Sequence, residues 1–582
     1  MASGSEQREQ TVALLNRPTI KAEEIYTSDG SLDFKGNPAL KHRTGGWRAC
    51  RFILGTEFCY CLAIFGIGCN LVTYLTAVLG ESNVVAARSF STWAATCSIT
   101  PLAGAIVADS YWGRYRTMVI AGSVGVAGML MAALSAYLPL LIRNEMSNMV
   151  SAQEFILFLG LYMIAIGSGG LRPCLMSFGA DQFDDGDPSE CSAKGPPFFN
   201  WYIFTINCAS LVSSTGIVWV QGHYGWALGL TMQVALLAAG LSVLVAASQT
   251  YRFHRTRGSP LTRVFQVIVA AIRKYNVDLP ANSSLLHELP EDNHAMKGIE
   301  CIEHTTDLQF FDKAAIITTS NKEADEAAVP AAHNPWRLCA VTQVEELKIL
   351  VRMFPIWATI VFFYAVSAQV SSTFVEQGTS MDATVGSMRV PPASMSTFDV
   401  LTVVVLVPLY DRVFVPAARR LTGKEKGVSE LQRVGIGLVM PVLALAAAAI
   451  VETERLHAAT AAPLLRTKIS LLWQAPQYAL VGVGEVLTTV GQLDFFYSQA
   501  PVAMKTVCTA LGLVAVAAGG YLNSCLLTVV QWATTTGGSP GWIPDDLNEG
   551  RLDRFFWMMA GLGCLNLMAF VTCATRYKSR KD

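Results

Sequence analysis

Charge is what this sequence has least of. Only 15% of its 582 residues are charged, against 52% hydrophobic, whereas a soluble chain of this size carries about 25% charged residues. That scarcity excludes an ordinary soluble globular protein. The formal net charge is −1, so no bulk electrostatic attraction to nucleic acid exists. The first fifty residues have no apolar core between a basic start and a small-residue cleavage site, and no cleaved signal peptide is expected. The cysteines show neither a zinc spacing nor a disulfide framework. Most of the fourteen, among them Cys59, Cys61, Cys69, Cys97, Cys174, Cys208, Cys508, Cys525 and Cys564, lie inside apolar runs, where a free thiol behaves as a small hydrophobe. No nucleotide-binding loop is present, so ATP is not the driving source. No nucleophile–base arrangement or metal cluster recurs, so neither an enzyme nor a metal or other cofactor is expected.

What the chain has is long apolar runs. At about 20 residues per crossing, spans are expected near 52–77, 90–109, 116–140, 153–176, 199–221 and 226–248. A second group falls near 347–370, 394–415, 432–452, 468–491, 504–532 and 554–575. The reading is an all-α membrane protein of about twelve helices in two six-helix bundles. A cytosolic tail covers 1–50, the bundles 51–248 and 346–575, and a polar linker 249–345 separates them. The linker carries RFHRTR (252–257) and an amphipathic stretch, LTRVFQVIVAAIRKY. A second tail covers 576–582.

Lys and Arg of the N-terminal tail (Lys41, Arg43, Arg48, Arg51), the second connection (Arg114, Arg116), the linker, the eighth connection (Arg412, Arg419, Arg420, Lys424, Lys426) and the C-terminus all fall on one side. By the positive-inside rule both termini are cytosolic. The fourth connection, 181–194, is acidic and gives that rule no support. Leu14-Leu15 lacks the acidic residue that a dileucine sorting signal wants, and the Asn282-Ser283-Ser284 sequon falls in the cytosolic linker. Neither is read as functional.

The stretch GSGGLRPCLMSFGADQFDD (167–185) sets an Arg and a helix-breaking Pro behind three glycines at the end of an apolar run. An Arg near the bilayer centre costs about 2.5–3.5 kcal/mol and persists where it faces a water-filled path or a carboxylate. Arg172 therefore marks either a polar route through the bundle or a side chain that snorkels to a headgroup. Both readings stay open at this point. Two six-helix groups with a long middle linker point to pseudo-symmetric bundles rocking about a midplane site.

Between the second and third spans runs GAIVADSYWGRYRT (104–117). Its small residues permit close helix approach, and Asp109 can pair with Arg114 or Arg116 to latch one conformation. This stretch resembles the loop motif of the major facilitator superfamily. FFNWYIFTINCASL (198–211) is similar to the fifth-helix signature of the proton-coupled oligopeptide transporters, whose plant branch is the nitrate/peptide transporter family. The 167–188 stretch, PIWATIVFFYAVSAQ (355–369), FVEQG (374–378), VGVGEVLTTVGQLDFFYSQAP (481–501) and PGWIPDDLNEGRLDRFFW (540–557) also resemble that family. The likeness runs from about residue 35 to the C-terminus and is nearest to the di- and tripeptide branch.

The resemblance implies a major facilitator fold and specific roles. Arg172 stands for the fourth-helix Lys that holds a substrate carboxylate. Glu485 matches the Glu that binds the peptide amino group and pairs with the cation across the halves. Asn207 matches the fifth-helix Asn that hydrogen-bonds the peptide, although an interhelical polar contact serves equally well for it. Ser367 stands where nitrate-transporting relatives have a His, and a Ser cannot become a cation. Nitrate by that route is disfavoured.

The first helix departs from the family's Glu-x-x-Glu-Arg/Lys. Here Glu57 remains, Tyr60 replaces the second Glu and Cys61 the cation, with Ile64 and Phe65 beyond. A proton must therefore ride on Glu57 or Glu485, because Arg does not give one up, and weaker sensitivity to external pH is expected. The implied partners are a small peptide or similar carboxylated solute, protons and the bilayer, with no nucleic acid. The plasma membrane is favoured over the vacuolar membrane. The alternatives are a proton-independent facilitator of nitrate, a hormone or a specialised metabolite, or a non-transporting sensor.

Overall fold

The computed structural model describes residues 26–577 apart from 82, 142–145, 185–186, 188–189, 191–195, 255–258, 280–285, 289–301, 303, 318–333, 386–387, 391, 423–427, 462–468, 502–503, 536–540 and 545–546. Leu14-Leu15, the Asn282 sequon, Lys424, Lys426 and the basic residues beyond Tyr577 lie outside the described residues.

The first group of helices is α1 (Gly46–Ala77), α2 (Asn83–Val107), α3 (Arg114–Leu141), α4 (Met146–Ala180), α5 (Pro196–Val212) and α6 (Trp226–Ala246). A linker helix, α7 (Pro260–Arg273), follows. The second group is α8 (Val341–Ser367), α9 (Ser396–Leu409), α10 (Glu430–Ala461), α11 (Ala475–Gln499), α12 (Lys505–Thr534) and α13 (Leu552–Arg576). Among the described residues eleven helices are long and apolar enough to cross a membrane; α2, not one of these eleven, continues as the π turn Ala108–Trp112. Strand is confined, among the described residues, to a two-residue ladder of Thr384–Val385 with Met388–Arg389 and isolated bridges.

Pro173 is a residue that ordinarily breaks a helix, yet the expected span 153–176 passes through it and the fourth helix does the same. The helix runs unbroken from Met146 to Ala180 with Pro173 inside it. Neighbouring helices compensate by packing closely through glycines: a β-carbon on Gly167 would fall 2.6 Å from Gly125 Cα, and one on Gly169 would fall 2.6 Å from Thr100 Cβ. Small residues therefore bring α2, α3 and α4 together, as they do between membrane helices generally. The glycines ahead of Arg172 are a packing surface rather than a break.

Five of the six hydrophobic clusters lie within or between the two helix groups. One is built on α1, α3, α4 and α6, two on the second group, and two smaller ones join α4, α5, α9 and α11, and α2 with α12. The remaining cluster docks α7 through Val267, Ala270 and Ala271 onto residues 314–315 and the start of α8. This docking is reinforced by ions: buried Lys348 sits 2.7 Å from Asp312 and 2.8 Å from Glu345, and Arg263 lies 3.0 Å from Glu346.

Helix directions alternate, so the linker, the start of α1 and the 108–116 connection share one end of the bundle. Residues 26–45 are fastened there. Leu32 bridges to Phe253, Ser28 donates to Asp184, and Lys41 lies 3.6 Å from Asp184 and 3.3 Å from Asp187. Arg252, wholly buried, donates to the Gln182 and Thr44 carbonyls and pairs with Glu190 at 2.6 Å. The acidic fourth connection thus meets basic partners at this end, which is why its sign runs against the positive-inside count.

Candidate functional site

The polar residues at depth come from α1, α4 and α5 of the first group and from α8, α9 and α11 of the second. On α1, Glu57, Tyr60 and Cys61 are spaced i, i+3, i+4 and share one face. Glu57 lies eleven residues into α1, about 17 Å from its start at 1.5 Å per residue. It is wholly buried, as are Tyr60 and Cys61 at 5% and 2% exposure. The Cys61 thiol donates to Glu57 Oε1 at 3.4 Å, and Glu57 Oε2 has no hydrogen-bond partner. Arg172 on α4 is half-buried and faces Tyr60, Cys61, Tyr202 and Glu57 electrostatically. The nearby acid for this cation is Glu57, on its own side of the molecule.

Glu485 on α11 has a different neighbourhood. Asn207 of α5 lies beside its carboxylate, Tyr364 of α8 is within its field, and Asp399 at the start of α9 is a second carboxylate facing it. Among the described residues no ion pair within 4.0 Å joins Arg172 to Glu485. In this conformation the cross-half bridge implied by the resemblance is not formed; Arg172 lies instead in the field of Glu57 and its neighbours on its own side. Asn207 reaches across the halves, but its amide N–H donates to the Ile203 carbonyl of its own helix at 3.1 Å. Ser367 likewise donates to the Phe363 carbonyl at 3.2 Å.

The linker end is closed by two locks. Asp109 Oδ2 accepts from the backbone N–H groups of Thr506 and Val507, each at 3.1 Å. These are the first-turn donors of α12, so a carboxylate from one half caps a helix N-terminus of the other. Arg114 pairs with Asp109 at 3.5 Å, donates to Thr506 Oγ1 at 2.6 Å and pairs with Asp181. The Tyr497 hydroxyl, across the interface, also donates to Asp181. Of the two cations named for this latch, Arg114 supplies it. Arg116 is exposed, because two residues along a helix turns the side chain away from the Asp109 face.

The second lock is Arg433 at the start of α10, 3% exposed. It donates to Asn200 Oδ1 of α5 at 2.7 Å and to the Val486 carbonyl at 3.2 Å, and its guanidinium lies 4.2 Å from the centre of the Tyr410 ring. Asp181, Thr506, Arg433, Asn200 and Asp399 were not singled out from sequence. For Arg433 and Asp399 a signal existed, since each is an ionisable residue inside an apolar span. For Asp181 and Thr506 only the folded partner reveals the role.

Residues 115–543 match the POT family. The Arabidopsis thaliana protein NRT1/PTR FAMILY 8.3 is 48% identical over 96% of this chain and 96% of its own length. NRT1/PTR FAMILY 8.5 from the same plant is 44% identical over 100% of both. Among solved structures, an auto-inhibited POT family peptide transporter superposes with a TM-score of 0.58 at 21% identity, covering 91% of this chain and 97% of that one. The POT family transporter PepTSo superposes with a TM-score of 0.56 at 21% identity, covering 91% and 98%.

Proposed function

The chain belongs to the POT family, a multi-pass integral membrane transporter and not an enzyme, and from that premise we propose that it moves di- and tripeptides or similar small carboxylated solutes with protons. Residues 51–248 and 346–575 are the bundles that rock. The observation that carries the reading is the pairing of opposite functions at depth: a cation, Arg172, on one half and carboxylates, Glu485 and Asp399, on the other. A zwitterionic peptide presents a carboxylate to the first and an ammonium to the second, with Asn207 at the seam beside Glu485. Nitrate has no cationic group to offer Glu485, and Ser367 has no charge to offer nitrate.

The substrate carboxylate binds Arg172 by competing with Glu57, and Glu57 and Glu485 carry the coupling proton. The Asp109–Arg114 latch and the Arg433–Asn200 contact hold the linker end shut while the other end exchanges solute. Both termini and the linker are cytosolic, as the basic connections at that end favour, and the plasma membrane is the site of action. Uptake of a labelled dipeptide into oocytes at two external pH values tests the reading. Saturable uptake, stronger at acid pH and lost in Arg172→Ala at normal surface level, is expected. Peptide uptake no greater than in uninjected cells would overturn it.

A further inference from the structure

The reading above places Asp399 beside Glu485 at the substrate's ammonium and gives it no part in holding the proton. It lies in the first turn of α9, a membrane-spanning helix, where an uncompensated charge is costly. Its main chain and side chain press against α11 at Gly482: a β-carbon there would fall 2.7 Å from Asp399 O and 2.9 Å from Asp399 Oδ1. Glycine at 482 is what allows this approach. Glu485 is three residues further along and on the same helix face, which brings the two carboxylates into each other's field. Asp399 Oδ1 is buried and has no hydrogen-bond partner.

Among the described residues no cation forms an ion pair with either acid. On α11, Tyr478 is near Asp399, but its hydroxyl points to the Val370 carbonyl at 3.5 Å. On α8, Tyr364 faces Glu485 and donates to Gln492 Oε1 at 3.0 Å. Asn207 of α5 is neutral. Arg433 of α10 touches the Val486 carbonyl and not the Glu485 carboxylate. Arg172 of α4 reaches Tyr364 electrostatically, yet among the described residues it forms no ion pair with either acid. Two carboxylates in each other's field, without a cation between them, favour sharing one proton over ionising together.

We propose that Asp399 and Glu485 form a proton-binding site that holds one shared proton while the path is empty, with Asp399 its second, indispensable half. The protonated member supplies the O–H donor that the buried Oδ1 lacks. Both acids ride on the same bundle, so the pair persists as the halves rock. Asn207, on the opposite bundle, approaches or leaves Glu485 with that motion and changes the pair's hold on the proton between states, which is the requirement for coupling. The pair takes up its proton from the side on which the path is open, carries it across with the bound substrate, and releases it on the far side once the bundles have moved.

The pair can be tested on the full chain in lipid nanodiscs without substrate, by infrared difference spectroscopy with H2O/D2O exchange. The wild type should show a protonated carboxyl band at neutral pH. That band should vanish in both Asp399→Asn and Glu485→Gln, because each leaves a single acid free to ionise, and should persist in Glu57→Gln. Asp399→Glu, which keeps the pair, should shift the band without removing it, and serves if Asp399→Asn does not fold. No such band in the wild type, or one indifferent to substitutions at 399 and 485, overturns the proposal. In oocytes the acid stimulation of dipeptide uptake between about pH 7 and 5 should fall to less than about twofold in Asp399→Asn, since one titrating site sets the profile. The inference extends the proton-coupled reading above, and the two fail separately: absent peptide uptake with the band intact refutes the substrate, whereas normal uptake without the band refutes the pair.

Discussion

Glu57 and Glu485 are both carboxylates at depth, one in each half, and they live under opposite conditions. Glu57 has a guanidinium, a thiol donor and a phenol around it. Glu485 has an amide, a phenol and another acid. In the first half a guanidinium lies within the acid's field, and that cation is what the substrate carboxylate seeks. In the second half charge is left over, so a proton or a substrate ammonium must complete it. On the proposed reading the halves divide the work: one sets how tightly the solute's anionic end is held, the other how the proton is held.

The comparison breaks first at Arg172. Arg172→Ala removes the cation that faces Glu57, Tyr60 and Tyr202 at depth, and dipeptide uptake should fall to background at normal surface level. Arg172→Lys should keep partial activity, because charge survives and the fork does not. Unchanged uptake in Arg172→Ala would show that the cation snorkels instead of facing the path.

The locks sharpen the comparison by showing how the halves are held while their sites differ. Arg433→Ala strands the Asn200 Oδ1 and Val486 carbonyls that it serves, at about 1–3 kcal/mol. Cysteine labelling at the linker end should then rise by about tenfold, since every 1.4 kcal/mol is a factor of ten. Asp109→Asn keeps the shape but removes the charge from the α12 cap, where a carboxylate contributes about 0.3–1 kcal/mol, so labelling should rise only severalfold. Labelling unmoved in both variants would mean that the interface is held elsewhere. Arg116→Ala is the contrast case, exposed and outside the latch, and should stay within about 0.5 kcal/mol of wild type in thermostability.

The smallest expected effect lies in the linker. Burial pulls Lys274 down to about 8 from its ordinary 10.5, while its amine donates to the Ala314 and Ile316 carbonyls. The undocked linker therefore binds more protons between those two values, and docking strengthens as pH rises through that window. Hydrogen exchange at residues 311–316, corrected for intrinsic chemistry, should slow modestly from pH 8 toward 10. Faster exchange over that range would reverse the sign of the coupling.

Much of this was legible in the order of residues. Periodic apolar length placed the spans, and the stretches around Arg172, Asn207 and Glu485 carried the family likeness. What was not legible came from tertiary neighbours. Pro173 looks like a break until the glycines at 125, 160 and 167 are seen to bind α3 to α4. Asp109 offers two nearby cations in sequence, and only the helix register selects Arg114 over Arg116. The missing first-helix acid suggested weakened coupling, because Asp399 sits some eighty-six positions from Glu485 by number and only Gly482 brings it near.

The most direct test of the division between the halves is a pair of double-mutant cycles on the thermostability of the ligand-free protein in nanodiscs, Arg172→Gln with Glu57→Gln and Arg172→Gln with Glu485→Gln. The account predicts a coupling of about 1–3 kcal/mol for Arg172 with Glu57 and less than about 0.5 kcal/mol with Glu485, the ranges that separate contacting from independent sites. A larger coupling to Glu485 than to Glu57 would contradict it and put the resting ion pair across the path.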